Sequence, residues 1–245
     1  MDIYETYYKF VETICSSGDI SGFKREPKYT YMLEHVSVLN GSEYLDLIKK
    51  LTPVDQHTIV SFCNLNDSIG NPKLETYGNL NVSPTSLRYL FHSHLILTHL
   101  QSLNLDKIDI VELGGGYGGL CLAIHYLAEK YMININSYTI IDLAPIIQLQ
   151  KMYLDKANPS LSINFIDGST FGSNLDKTST FLISNYCFSE IAQPVREQYI
   201  QKLIPKVSHG FMAWNNIPLF NFGFKIKIED ENPNTGGPLN KYVYF

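Results

Sequence analysis

The sequence predicts an α/β fold: a mostly parallel sheet with helices on both faces, preceded by a mostly helical N-terminal region. Three observations carry that expectation. A short apolar run, Ile108 to Glu112, breaks into a turn holding Gly114, Gly115, Gly116 and Gly118, with Gly119 behind them. An apolar stretch at helical spacing, Leu120 to Leu127, follows the turn. From there to Phe245, short β-like runs alternate with helical ones, and the last two runs read as a hairpin.

Taken in order, Ile3, Tyr7, Phe10, Val11 and Ile14 recur at i, i+3, i+4 spacing and predict an amphipathic helix ending near Ser16-Ser17-Gly18. A polar loop from Lys24 to Lys28 leads into a Tyr29–Val38 segment that contains His35. Ser42 is placed to cap a helix over Glu43–Leu51, and Pro53 follows its end. Residues 64–82 are rich in turn formers and predict a long ordered loop. Ser83 as N-cap and Pro84 at the first helical position start a helix that runs to about Leu103. Beyond the glycine turn, strands are predicted over Ser137–Asp142, Ser162–Ile166, Thr180–Ser184 and Gly210–Trp214. Helices are predicted over Ala144–Ala157 and Gln193–Ile204, and the closing hairpin over Phe224–Glu229 and Lys241–Phe245. The expected division is a helical region with a substrate-side or oligomerisation loop over 1–82, and the sheet domain over 83–245.

Composition narrows the function classes. With 44% apolar and 13% aromatic residues the chain has enough apolar surface for a full core. A net charge of −5 and the absence of any Lys/Arg-rich run argue against a nucleic-acid partner. Cys15, Cys63, Cys121 and Cys187 are scattered without a C-x-x-C pair, so buried free thiols in a reducing compartment are expected. The first residues lack a basic segment followed by an apolar one, and no apolar run approaches membrane-spanning length, which points to a cytoplasmic protein.

Two ligand classes use a glycine turn of this kind. Read as Gly114-x-Gly116-x-x-Gly119, it satisfies the dinucleotide fingerprint, with Asp142 where the ribose-binding acid belongs. Read as Glu112-x-Gly114-x-Gly116-x-Gly118, it resembles motif I of the class I S-adenosylmethionine-dependent methyltransferases. Glu112 favours the second reading, because a carboxylate in the turn repels a pyrophosphate and suits a sulfonium and an α-ammonium group. Five strands in βα alternation closed by a hairpin also resemble the Rossmann-like seven-stranded sheet of that superfamily.

Further segments narrow the resemblance. Gly70-Asn71-Pro72, Ser83 to Tyr89, Val111 to Gly119 with Ile141-Asp142-Leu143, and Ser184 to Glu190 together resemble the group described as sugar O-methyltransferases. Thr235 to Asn240 fits the same pattern with one glycine more than expected. The resemblance covers roughly residues 65–245; the first sixty residues match nothing. It implies S-adenosyl-L-methionine as cofactor, S-adenosyl-L-homocysteine as product, and a sugar or nucleotide-linked sugar as acceptor. It also implies that Asp167-Gly168 contacts the adenine and that Asn185 lies beside the methyl donor.

The candidate residues follow. For the cofactor they are Glu112, Gly114, Gly115, Gly116, Tyr117, Asp142, Leu143, Asp167, Gly168, Asn185 and Arg88, whose fork suits a carboxylate or a phosphate. Deprotonating a sugar hydroxyl calls for a base, for which Glu190, His92 and His94 are the candidates. His92 and His94 flank Ser93 and point to different faces, so they are no two-His metal pair, and no metal site is expected. Tyr186, Ser189, Asn216, Tyr89 and His35 are candidates for the acceptor, as stacking faces or hydrogen-bonding groups. Two other classes stay open: a nicotinamide-dependent sugar oxidoreductase, and an inactive cofactor-binding scaffold. The first needs a Tyr-x-x-x-Lys-type proton donor after the fourth strand, and Ser184–Ile191 offers none. The second would use the Tyr-rich N-terminal region as a homo-oligomer surface.

Overall fold

A computed structural model describes residues 3–178 and 180–245; the side chain of Ile3, used above to start the first helix, lies outside the described residues. The chain divides into two compact units. The first comprises Met1–Thr98, Gly116–Met132 and Gln148–Leu161, and the second His99–Gly115, Ile133–Ile147 and Ser162–Phe245. The chain passes between the units within the glycine turn, and the helices expected to belong with the sheet contribute residues to the first unit.

In the first unit, α1 (Ile3–Ser17) is the amphipathic helix expected. The Lys24–Lys28 stretch is not a polar loop. A 3₁₀ turn over Phe23–Arg25 and the short helix α2 (Pro27–Thr30) occupy it, and Lys24 is fully buried. Its ammonium donates to the Asn66 carbonyl at 2.9 Å and lies 4.1 Å from the centroid of the Tyr117 ring. Burial lowers its pKa to about 8, although the Glu34 and Asp67 carboxylates pull it upward.

Helix α3 spans Val38–Leu51 and is capped by Ser37, whose Oγ accepts from the Asn40 amide at 3.0 Å. Ser42 lies inside that helix. Gly41, which reads as a breaker, is needed for packing, since a Cβ there would meet the Tyr77 hydroxyl at 2.0 Å. Helix α4 (Gln56–Asp67) is capped by the Asp55 carboxylate. It takes up the start of the predicted 64–82 loop, and the antiparallel pair β1 (Glu75–Tyr77) and β2 (Leu80–Val82) takes up its end. Helix α5 (Pro84–Leu103) begins where expected, with Ser83 Oγ accepting from the Thr85 amide at 3.2 Å.

The remaining elements are β3 (Ile108–Leu113), α6 (Gly119–Ala128), β4 (Ile135–Asp142), α7 (Ala144–Ala157), β5 (Ile163–Asp167), β6 (Thr180–Asn185), α8 (Cys187–Glu190), α9 (Gln193–Lys202), β7 (Val207–Trp214), β8 (Lys227–Asp230) and β9 (Lys241–Tyr244). The second unit holds the seven-stranded sheet, in the order β5-β4-β3-β6-β7-β9-β8. The five strands from β5 to β7 are parallel, and β9 pairs antiparallel with both β7 and β8. This is the Rossmann-like seven-stranded sheet expected, with its closing hairpin.

One face of the sheet contributes Val111, Leu113, Ile141, Leu182, Met212 and Val243 to a core shared with Tyr199 and Leu203 of α9 and with Phe188, Trp214 and Phe222. Ile110, Ile140, Phe181, Ile183 and Phe211 on the other face are equally buried. Burial on both faces is what a parallel sheet demands, and it explains why its strands read as continuous apolar runs. The chain runs from β3 outward through β4 to β5, then returns to β6 on the other side of β3. The strand order therefore reverses between β3 and β6, and ligands of open α/β sheets bind outside the strand C-termini at such a point.

Candidate functional site

The site is built on the C-terminal ends of β3, β4, β5 and β6. On β3, Glu112 is 1% exposed and its Oε2 accepts from the Tyr138 hydroxyl of β4 at 2.8 Å. Burial raises its carboxyl to about 7; the Tyr138 hydrogen bond opposes the rise and the Asp142 charge adds to it. A pKa above the ordinary 4.5 means that the folded state binds this proton more tightly than the unfolded chain does. The associated stability is therefore complete below about 4.5 and is lost as pH rises through about 7. Glu112→Gln removes that loss. In urea unfolding, the variant is expected to gain roughly 2 kcal/mol on the wild type between pH 5 and pH 8. A difference between the two that does not change with pH contradicts the assignment.

The chain leaves β3 through Gly114, at φ 77°. A Cβ there would lie 2.4 Å from both Cβ and Sγ of Cys187, so only glycine lets the turn pass the start of α8. The Gly114 amide donates to the Ile141 carbonyl at 3.0 Å. Half-buried Asp142, the last residue of β4, receives the Gly115 amide on Oδ2 at 3.0 Å and the Leu143 amide on Oδ1 at 2.8 Å. Two backbone donors orient this carboxylate. Asp167 sits beside Asp142 in the β4–β5 register. It is exposed and caps the following turn, accepting from the Ser169 amide at 2.8 Å. The backbone of Gly168 is pressed against β4, where a Cβ would lie 3.2 Å from the Asp142 carbonyl oxygen.

At the end of β6, Ser184 Oγ donates to the Leu113 carbonyl at 2.9 Å and accepts from the Phe188 amide at 3.0 Å, which ties β3 to α8. Half-buried Asn185 is followed by Tyr186 at φ 65°, a left-handed conformation uncommon for a residue with a side chain. Ser189 is 3% exposed and is a brace: its hydroxyl donates to the Tyr186 carbonyl at 2.9 Å and accepts from the Asn215 amide at 3.1 Å. Half-buried Glu190 accepts from the Asn215 carboxamide. Exposed Asn216 accepts from the Leu239 amide at 3.0 Å. Burial pushes the Cys187 thiol up, and Asp142, Glu190 and Glu112 reinforce the rise. Glu112, Asp142 and Glu190 thus all lie near Cys187, the first residue of α8, beside the glycine turn.

The second unit therefore holds Glu112, Gly114, Gly115, Asp142, Leu143, Asp167, Gly168, Asn185, Tyr186, Ser189, Glu190 and Asn216. The first unit holds Gly116, Tyr117, Arg88, Tyr89, His92, His94 and His35. Gly116 accepts from the Gln150 carboxamide at 3.0 Å. Several side chains expected at the ligand are instead interior groups. Tyr117 is fully buried with its hydroxyl on Asn66 at 3.2 Å, and the Tyr89 ring, 7% exposed, packs edge-on to it. Their role is packing because the helical stretch that follows the glycine turn faces inward. His92 is fully buried and set edge-on to Tyr44, and burial with the Arg88 charge drives its pKa well below the ordinary value. A histidine so enclosed packs within the first unit. His94 Nδ1 is bonded to the Tyr131 hydroxyl at 2.7 Å, and Arg88, 4% exposed, donates to the Leu33 carbonyl at 3.1 Å. His35 is exposed. Trp214, at the end of β7, is 1% exposed within the core. Among the described residues, no group of His, Cys, Asp or Glu is arranged to hold a metal ion, and no helix is long and apolar enough to cross a membrane.

Sequence reasoning missed Tyr138 and Cys187 as parts of the site, since each joins it across strands and not along the chain.

No family model matches this sequence, and no curated protein matches it. Among solved structures, the chain is similar to LepI in complex with SAM over 47% of this chain and 29% of that one, with 20% identity and a TM-score of 0.36. It is similar to SAM-bound CalS10, an amino pentose methyltransferase from Micromonospora echinaspora involved in calicheamicin biosynthesis, over 58% of each chain, with 10% identity and a TM-score of 0.42. An O-methyltransferase family protein from Burkholderia thailandensis is similar over 66% of this chain and 57% of that one, with 9% identity and a TM-score of 0.44. The chain spans less than two thirds of the length of each of these structures.

Proposed function

We propose that the chain is an S-adenosylmethionine-dependent O-methyltransferase acting on a hydroxyl of a sugar, in nucleotide-linked or glycan form. The observation that carries this reading is the placement of Asp142, bonded to the Gly115 amide, and of Glu112 near the ends of the paired strands β4 and β3, beside the glycine turn at the strand-order reversal. A cofactor bearing a sulfonium and an ammonium suits carboxylates there, and a pyrophosphate does not. The cofactor supplies a methyl group already activated by its positive sulfur.

The residues present fit it. The pre-oriented Asp142 carboxylate takes the ribose hydroxyls, and exposed Leu143 with Asp167 and Gly168 borders the adenine. Bare backbone at Gly114 allows close approach, and Glu112, near the end of β3, is the carboxyl whose ionisation a cationic ligand would favour. Glu190, steadied by Asn215, takes the proton of the acceptor hydroxyl. The chain's remaining task is positioning, which by itself can lower the barrier by several kcal/mol. The sugar as acceptor is supported by the resemblance of the Ser83–Tyr89 and Ser184–Glu190 segments.

Calorimetric titration of the purified chain with S-adenosylhomocysteine, NAD and NADP tests the reading. Binding of S-adenosylhomocysteine alone is expected. Binding of a dinucleotide alone overturns it in favour of an oxidoreductase, which the Gly114-x-Gly116-x-x-Gly119 spacing with Asp142 also allows.

A further inference from the structure

Strand β8 (Lys227–Asp230) closes one side of the sheet and pairs only with β9. Bonds on both sides of β9 fix the phase of its ladder. Gly210 and Phe245 exchange both backbone bonds, at 2.8 and 3.1 Å, so Val243 and Lys241, at alternate positions back from Phe245, bond toward β7. Tyr244 and Tyr242 therefore bond toward β8, where they meet Lys227 and Glu229. The Glu231 amide continues that phase by donating to the Asn240 carbonyl at 3.3 Å. Ile228 and Asp230 are left with N–H and C=O turned to the open edge. Among the described residues, no further strand takes them up. All four residues of β8 are exposed, and Ile228 is 45% exposed.

Sheet edges are commonly guarded by charged side chains, which repel a second strand. The guard on β8 changes sign about its middle. Lys225 and Lys227 precede Ile228, and Glu229 and Asp230 follow it. Lys227 Nζ lies 2.7 Å from Glu229 Oε1, and Asp230 Oδ1 lies 2.6 Å from Lys241 Nζ of β9. A parallel second copy in register would set like charges side by side. An antiparallel copy does the reverse, and its register is restricted. Directly opposed residues must both turn their polar groups outward or both inward. Centred on Lys227 or Glu229, the pairing opposes two lysines or two glutamates. Centred on Ile228, it opposes the two isoleucines and sets each Lys227 against Glu229 of the other copy. Four charges then alternate around one face, each between two of opposite sign.

We propose that β8 is a self-association edge, on which a second copy of this chain pairs antiparallel about a two-fold axis through Ile228. The contact is isologous, so one strand supplies both halves of the charge match. It joins two seven-stranded sheets into one. A four-residue edge buries little surface beside a stable interface, so the dimer is weak and forms with rising concentration. None of this depends on the methyl-transfer reading.

Sedimentation velocity on the full chain, from low micromolar to about 1 mM, tests the pairing. Wild type is expected to pass from monomer toward dimer over that range. Lys227→Glu and Glu229→Lys, each alone, oppose like charges twice per dimer and are expected to weaken association at least tenfold. Mixed in equal amounts, one chain is acidic at both positions and the other basic at both. Association should then return to within threefold of wild type. Ile228→Asp, which sets two carboxylates at the axis, should weaken association at least tenfold by itself and carries the test if a charge variant does not fold. Urea unfolding identifies the folded variants. A wild-type chain that stays monomeric to the highest concentration overturns the proposal. So does self-association that no substitution weakens, which places the contact on another surface. Losses in the single variants that mixing does not repair also overturn it, because Lys227 and Glu229 then do not face each other across the axis.

Discussion

Asp142→Ala is expected to weaken S-adenosylhomocysteine binding about 100-fold, or roughly 2.8 kcal/mol. The carboxylate is held ready by the Gly115 and Leu143 amides, so it meets a ribose without further ordering. Hydrogen bonds from ligand hydroxyls to a charged acceptor contribute about 1.5–3 kcal/mol each, so losing two at the low end of that range accounts for the expected effect. The substitution also leaves those two backbone donors without their acceptor, which should cost about 1–2 kcal/mol of folding stability. Asp142→Asn separates the contributions. Its amide oxygen can keep one backbone bond while the charge is gone, so stability should largely return and ligand affinity should not. Calorimetry and urea unfolding on the three chains provide the comparison. A folded Asp142→Ala chain that binds the ligand as tightly as wild type removes Asp142 from the cofactor site.

Gly114→Ala is expected to destabilise the fold by about 3 kcal/mol, and to abolish cofactor binding even where the chain remains folded. Two costs combine. A residue with a side chain in the left-handed region costs roughly 1–2 kcal/mol, and Gly114 sits at φ 77°. The new methyl would also lie 2.4 Å from Cβ and Sγ of Cys187, so either α8 or the turn must shift. Such overpacking typically costs 1–3 kcal/mol. Because Cys187 contributes the clash from its Cβ as well as its sulfur, Cys187→Gly should relieve it where Cys187→Ala should not. The double substitution Gly114→Ala/Cys187→Gly is expected to show a favourable coupling of at least 1 kcal/mol in a urea double-mutant cycle. Simple additivity would mean that the turn and α8 do not meet as described.

Much of the fold was legible in the residues because the relevant signals are local. Apolar periodicity set the strands and helices from β3 to β7 within a few residues of their ends, and Ser83-Pro84 marked the start of α5. The closing hairpin followed from two β-like runs around a Pro/Asn/Gly-rich connection. The positions of Glu112, Gly114 and Asp142 at strand ends came from the same reading.

The errors share a cause. Ser42, expected as the cap, lies inside a helix that Ser37 caps, and Gly41 within that helix is packed against Tyr77. Lys24 reads as a solvated charge, and only the fold encloses it among Phe23, Tyr117, Tyr153 and the Asn66 carbonyl. His92 and Tyr117 carry the right chemistry for a site, but the faces of their helices decide whether they meet solvent, and those faces point inward. The Tyr186 hydroxyl donates to Glu231 from 45 residues away, a separation that carries no periodic signal. The sequence by itself determined the order of strands and helices and the glycine turn, because backbone preference and apolar spacing act over a few neighbouring residues. Only the tertiary structure decided which carboxylates lie near the turn, which polar groups are enclosed and which side chains bond across strands, because those outcomes depend on packing between segments that are distant along the chain.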